Sequence, residues 1–255
     1  MTSWALVTGA TAGIGESFTR LLAKNNYNIV LVARDLPRLQ ERARDLESKF
    51  KVSTQVIQAD LSTDAGCLIV EKFIADNQID VLINNAGFGI NKAFTLSALD
   101  GEQQLLDVLV RTPMRLMHVA LPQMKQRNEG VVINVSSVAS FIAGGTYSAS
   151  KSYLTVLSES LHTELAGTHV KISALCPGFT RTEFHQRGRM SMKGLPNFMW
   201  LDSDTLVAKS WSDAIKGKAV SIPGWQYKLL VFVIQRLPRF IVRKVGMSVR
   251  RKQRK

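Results

Sequence analysis

Seven short runs of aliphatic and β-branched residues, separated by longer amphipathic stretches, constrain this chain more than any other feature. The runs are Ala5–Thr8, Asn28–Ala33, Ser53–Gln58, Val81–Asn84, Gly130–Val135, Lys171–Leu175 and Ala219–Ile222. Within the second, Ile29-Val30-Leu31-Val32 offers no polar position, the pattern of a strand covered on both faces. The stretches Gly15–Asn26, Pro37–Phe50, Asp64–Asp76 and Tyr147–Ala166 read as helices between them. Such β-α alternation predicts an α/β fold, a doubly wound parallel sheet of Rossmann type. At 255 residues the chain suits one domain with a substantial core. We divide it into 1–224, a dinucleotide-binding and catalytic unit with a substrate loop at 179–202, and 225–255, a basic amphipathic segment.

The charge is placed unevenly. The net charge is +13, yet from Gln226 onward there are ten basic residues and no acidic one, leaving 23 basic against 20 acidic residues elsewhere. A nearly neutral body argues against a nucleic-acid-binding face, and the basic segment lacks the interleaved aromatics of a stacking platform. Cys67 and Cys176 lie far apart, with no metal-ligand or redox spacing, so no metal site is expected and a reducing compartment is. No signal peptide and no uninterrupted apolar run long enough for a membrane span is visible, which predicts a cytoplasmic protein.

Directly after the first run comes Thr8-Gly9-Ala10-Thr11-Ala12-Gly13-Ile14-Gly15. Its G-x-x-x-G-x-G spacing differs from the commoner dinucleotide fingerprint but meets a similar demand. Gly9 allows a tight turn off the strand. Gly13 and Gly15 leave room for a pyrophosphate to reach backbone N–H groups at a helix start, with Thr11, Ala12 and Ile14 completing the loop. A plain glycine-rich turn is the competing reading. The second run ends in Ala33-Arg34-Asp35. An acidic residue there usually holds the ribose hydroxyls of NAD, whereas an arginine suits a 2′-phosphate, so NADP(H) is preferred over NAD(H). Surface pairing of Arg34 with a nearby acid is the alternative.

In Tyr147-Ser148-Ala149-Ser150-Lys151 a helix would place the phenol and the ammonium one turn apart on one face. A cation so placed favours the phenolate and tunes the tyrosine for acid/base work. Taken alone, the pair also fits a solvated helix face.

Together these stretches resemble the short-chain dehydrogenase/reductase family. The resemblance runs from Ala5 to about Gly224 and rests on Thr8–Gly15, Asp60-Leu61, Asn84-Asn85-Ala86-Gly87, Asn134-Val135-Ser136-Ser137, Tyr147-x-x-x-Lys151 and Pro177-Gly178, in that order. It implies that Asp60 and Leu61 lie near the adenine ring, and that Asn85, Ala86 and Gly87 form the turn supporting the cofactor ribose. Tyr147 matches the proton donor, and Lys151 the residue that bonds the nicotinamide ribose and lowers the tyrosine pKa. Pro177 and Gly178 match the segment beside the nicotinamide, with Thr180 and Thr182 as hydroxyl partners. Ser137 aligns with the carbonyl-orienting serine, with Ser136 turned to the other side of its strand. Ser137 is only ten residues before Tyr147, fewer than the family's usual gap, which implies a shortened loop through Ala143-Gly144-Gly145. The family's relay asparagine appears as Leu109, whose side chain cannot hold a water, so the proton relay beyond Lys151 must differ or be weaker.

The function these residues imply is NADP(H)-dependent reduction of a carbonyl to an alcohol, or the reverse, with a small molecule as substrate. A catalytically silent NADP(H)-binding regulator is the main rival, and epimerisation or dehydration a milder one. The stretch Phe179–Trp200 mixes Phe184, Met190, Met192, Leu195, Phe198, Met199 and Trp200 with Arg181, Arg187, Arg189 and Lys193. It reads as a lid for a lipid-like or acyl substrate with an anionic head, or equally as a packed helix pair; His185 reads as a surface residue. From Trp225 on, apolar runs alternate with Lys and Arg, and Pro238 should divide the stretch into two short helices. Peripheral membrane contact through 225–255 and packing in a dimer or substrate pocket are both open. Family members commonly form homo-oligomers, and the resemblance carries that expectation here.

Overall fold

The computed structural model describes residues 3–184, 195–244 and 246. Seven parallel strands form one sheet: β1 (Trp4–Thr8), β2 (Asn28–Ala33), β3 (Thr54–Gln58), β4 (Val81–Asn84), β5 (Gly130–Val135), β6 (Val170–Leu175) and β7 (Val220–Ser221), in the order β3-β2-β1-β4-β5-β6-β7. Helices α1 (Gly13–Lys24), α2 (Leu36–Phe50), α3 (Asp64–Asp76), α4 (Leu99–Leu106), α5 (Thr112–Gln126), α6 (Thr146–Glu164), α7 (Ser203–Ile215) and α8 (Trp225–Arg236) cover it. The expected doubly wound architecture is what the chain adopts. Only Val220 and Ser221 of the last expected run are strand.

Alternation along each strand feeds two cores. In β1, Ala5 and Val7 join Phe18, Leu22, Leu39 and Val207 beneath α1, α2 and α7. Leu6, between them, faces Val70, Ile74, Leu116, Met117 and Leu154 of α3, α5 and α6. Burying a single such leucine or phenylalanine is worth about 1.5–3 kcal/mol, so two complete layers fix the strand ends rigidly. The sheet order reverses beside β1, which pairs with both β2 and β4, and the carboxyl ends of such strands border the crevice where α/β sheets take ligands.

Local chemistry sets the helix starts. The Asp35 carboxylate caps α2 at the Arg38 N–H (3.1 Å), and the Thr63 hydroxyl caps α3 at the Gly66 N–H (3.0 Å). No side chain caps α1. Between α4 and α5, residues Asp107–Arg111 form a π-helical turn. Pro113 has no N–H to offer the carbonyl of Leu109 four residues back, so the ordinary helical bond is missing there. The chain after α8 turns at Leu237-Pro238 and resumes as helix over 239–244, as the proline predicts.

Candidate active site

The loop from β1 to α1 is shaped by its glycines. Gly9 and Gly13 hold φ of +66° and +58°, where a side chain is strained. At Gly15 a Cβ would lie 2.2 Å from the Gly9 carbonyl and 2.4 Å from the Asn85 amide nitrogen. That glycine therefore also serves close packing of α1 on the turn after β4. The first N–H groups of α1, from Gly13, Ile14 and Gly15, have no side-chain cap, so this helix start, preceded by Thr11 and Ala12, is of the kind that can take an anion.

Thr8 ties this loop to the next strand. Its hydroxyl donates to the Ile83 carbonyl and accepts from the N–H groups of Asn85 and Ala86 (2.9 and 3.0 Å). The Asn85 amide donates in turn to the Thr8 and Gly9 carbonyls. Gly87 is closed over by Leu109, whose Cδ2 would stand 2.9 Å from a Cβ at that position. At the end of β2, Arg34 is exposed and forms no ion pair among the described residues. Asp60 lies within its field. Burial would raise the Asp60 pKa, but the Ser62 N–H and hydroxyl and the charge of Arg34 outweigh it and hold the carboxyl below its ordinary value. Leu61 is buried beside it, its carbonyl accepting from Thr112 (2.8 Å). An uncapped helix start, glycines that a Cβ would block and an unpaired arginine at the β2 edge together fit a phosphorylated dinucleotide.

The three candidate catalytic side chains stand across β5 and α6. Ser137 ends β5 half-buried, its hydroxyl accepting the Ala139 N–H (3.1 Å). Ser136 turns inward, bonding the Lys151 carbonyl and Thr155. Gly145, at φ +86°, makes the turn into α6 that closes the short loop. One helical turn on, the Lys151 ammonium lies 5.8 Å from the centre of the Tyr147 ring. Lys151 is buried and donates to the Val135 carbonyl (2.6 Å); burial pulls its pKa down to about 8. Phe184 packs near Tyr147, with ring centres 6.0 Å apart.

Behind them a cavity of about 10 Å³, room for one water, is lined by Thr8, Asn84, Leu109, Thr112, Lys151 and others. The Asn84 amide donates to Asn134, whose own amide reaches Ser158 (2.8 and 2.9 Å), while Asn84 Oδ1 is buried with no partner among the described residues. The Leu109 side chain brings nothing polar to this cavity, as the sequence suggests. The buried Asn84, not singled out from sequence, does.

On the substrate side, Thr180 is buried with its hydroxyl on the Gly178 carbonyl, and Thr182 packs over Gly13. Gly178 is fixed by a residue the sequence reading missed: a Cβ there would lie 2.0–2.3 Å from ring carbons of Tyr227. The Tyr227 hydroxyl accepts the Phe179 N–H (2.9 Å) and donates to the Met199 carbonyl. No local pattern could have announced a contact across 49 residues. His185, Arg187, Arg189, Met190, Met192 and Lys193 lie outside the described residues.

Comparison with known proteins agrees with this geometry. The family model described as short chain dehydrogenase matches residues 3–192. A very-long-chain 3-oxoacyl-CoA reductase of Danio rerio is 32% identical over 187 residues, which is 71% of this chain and 59% of that protein. An inactive hydroxysteroid dehydrogenase-like protein 1 of Homo sapiens is 28% identical over 249 residues, 93% of this chain and 73% of the relative. Among solved structures, a short-chain dehydrogenase from Sphingobium yanoikuyae in complex with NADPH superposes with a TM-score of 0.83 at 29% identity, covering 91% of this chain and 93% of that one.

Proposed function

The chain belongs to the short-chain dehydrogenase/reductase family of oxidoreductases, and from that premise we propose that it uses NADP(H) to reduce a carbonyl to an alcohol, or to run the reverse oxidation. The observation that carries this reading is Lys151: a buried ammonium with no acidic partner among the described residues, one helical turn from a tyrosine and beside a crevice that suits a dinucleotide. Gly9–Gly15, Asp60, Leu61, Asn85–Gly87, Pro177, Gly178, Thr180 and Thr182 hold the cofactor, and Arg34 selects its 2′-phosphate. The cofactor, when bound, supplies or accepts the hydride.

The protein's own groups handle the oxygen. Ser137 orients the carbonyl by donating a hydrogen bond to it. Tyr147 gives that oxygen its proton as the bond order falls, and Lys151 favours the resulting phenolate and holds the ribose. The segment 179–202 forms the substrate side. Its apolar Phe179, Phe184, Phe198 and Trp200 suit a lipid-like or acyl ketone, in keeping with the similarity to a very-long-chain 3-oxoacyl-CoA reductase of Danio rerio. We take residues 1–224 to hold the catalytic groups, 225–255 to pack beside the substrate segment or touch a membrane, and the protein to be a cytoplasmic homo-oligomer.

A carbonyl panel that includes long-chain acyl ketones, followed by NADPH absorbance, tests the reading. Turnover that Tyr147→Phe abolishes, with NADPH binding retained by fluorescence titration, is the expected result. Binding without turnover of any ketone or alcohol by the unaltered protein would make it the silent regulator instead.

A further inference from the structure

Helix α8 has two apolar faces and the fold uses one. Tyr227, Val231 and Ile234 are buried against the body. At 100° per residue, Trp225, Leu229, Phe232 and Arg236 share the opposite face. Trp225, Leu229 and Phe232 there are 71, 57 and 52% exposed. With Leu230, Val233 and Phe240, six exposed large apolar side chains fall between positions 225 and 240, a patch rather than the scattered single residues of an ordinary surface. Cations edge this patch. Lys228, Arg239, Arg243 and Lys244 are exposed, and the Arg236 guanidinium rides 3.4 Å from the centre of the Phe232 ring. The sequence continues with Arg250, Arg251, Lys252, Arg254 and Lys255, still without an acid.

We propose that this outward face of α8, with the helical stretch 239–244, docks the protein on an anionic lipid bilayer and opens the substrate side of the crevice toward it. Charge chooses the occupant. A second copy seated on the same face would set these cations against their own counterparts with no acidic residue in the segment to pair them. A nucleic acid would neutralise the cations but leave Trp225, Leu229 and Phe232 in water. A bilayer with anionic headgroups accepts both, taking the apolar side chains at the headgroup boundary and the cations at its surface.

The inward face links this surface to the chemistry. Gln226 donates to the Phe198 carbonyl (2.9 Å), and Tyr227 bonds the Phe179 N–H and the Met199 carbonyl, so α8 braces both ends of the substrate segment. The helix packs on the turn Val138–Phe141 after Ser137. Further on, Gly246 lies so close to Ala143 that a Cβ would stand 2.4 Å from its carbonyl. The helix that carries the docking face thus borders the short loop between Ser137 and Tyr147. The substrate class that follows is a ketone dissolved in the membrane; this half rests on the reductase reading, and docking itself does not.

Co-sedimentation of the full chain with vesicles tests docking without any turnover. Binding to phosphatidylcholine vesicles containing phosphatidylserine, weakened by salt and at least about tenfold poorer on phosphatidylcholine alone, is expected. The L229E/F232E variant, altered only at exposed positions, should keep its circular dichroism and its rate on a water-soluble ketone while losing about tenfold or more in vesicle binding. Its rate on a vesicle-embedded ketone should fall in parallel. Vesicle binding unchanged by these substitutions, a dimer in sedimentation that they dissolve, or retention on duplex DNA without vesicle binding would each overturn the proposal. Docking with no ketone turnover at all would instead count against the reductase reading alone.

Discussion

Two charged side chains are buried to nearly the same depth, and the fold treats them in opposite ways. Asp213, on α7, is 2% exposed and surrounded: Lys209 and Lys218 approach within 3.0 and 2.8 Å, and the Ser221 hydroxyl donates at 2.8 Å. Burial alone would raise its pKa, but those hydrogen bonds and charges outweigh it and bring the carboxyl down to about 2. Lys151, on α6, is 4% exposed and among the described residues has one backbone carbonyl and no acidic partner; its pKa falls to about 8. The first arrangement staples α7 to the end of β7. The second leaves a charge destabilised, which on the proposed mechanism is where a proton has to move and is how a catalytic group would differ from a structural one at equal burial.

The largest separation of the two should come from Lys151→Met. Ketone reduction is expected to fall by about 10²–10⁴ in kcat/KM, with urea-unfolding stability unchanged or higher because an uncompensated buried charge is gone. Stability lost together with activity would break the contrast. Asp213→Ala should do the reverse, costing about 2–3 kcal/mol in urea unfolding with kcat near the unaltered value. The cost is below that of a fully orphaned buried charge because Lys209 and Lys218 are half-exposed and can rehydrate, leaving the Ser221 hydroxyl as the main loss.

The two groups should also act at opposite ends of the pH range. Asp213 has a folded pKa below its free value of 3.8, so its contribution is complete above 3.8 and is lost as the pH falls through about 2. Lys151 also has a folded pKa below its free value, 10.5, but it is a base: the folded state carries the burial cost below about 8 and sheds it between 8 and 10.5. The stability gap between Lys151→Met and the unaltered protein should therefore narrow over that alkaline interval, and a gap independent of pH would show the lysine is not desolvated. The smallest effect is expected from Leu109→Asn. A polar side chain beside the cavity of Lys151 and Asn84 should change kcat by less than about tenfold while costing about 1–2 kcal/mol in stability, read by stopped-flow turnover and urea titration.

The sheet was legible in the sequence because a doubly covered parallel strand leaves an uninterrupted apolar run, as at Ile29–Val32, and a helix leaves a stripe. The Tyr147 and Lys151 pair was legible for the same reason, since four residues is one turn whatever the tertiary context. The packing role of Gly15 was not legible because one of the groups filling the place of its missing side chain comes from Asn85, far along the chain. The Tyr227 brace was invisible on the same ground, and so was half of the Asp213 cluster: Lys209 is one helical turn from Asp213, but Lys218 and Ser221 are brought to it only by the fold. Along α8 the sequence revealed how much apolar and basic surface there was, and only packing decided which of it faces out.

The Tyr227 ring occupies the volume that any side chain at position 178 would need, and this makes the last stretch of the chain a wall of the crevice rather than an appendage to it. Shortening the protein to the part that the family model matches would strip that wall away along with both hydrogen bonds from its hydroxyl. A truncated form would then expose the strand end beside the nicotinamide site to solvent. Evolution of a new substrate preference in this protein is thus tied to whatever α8 is required to do elsewhere.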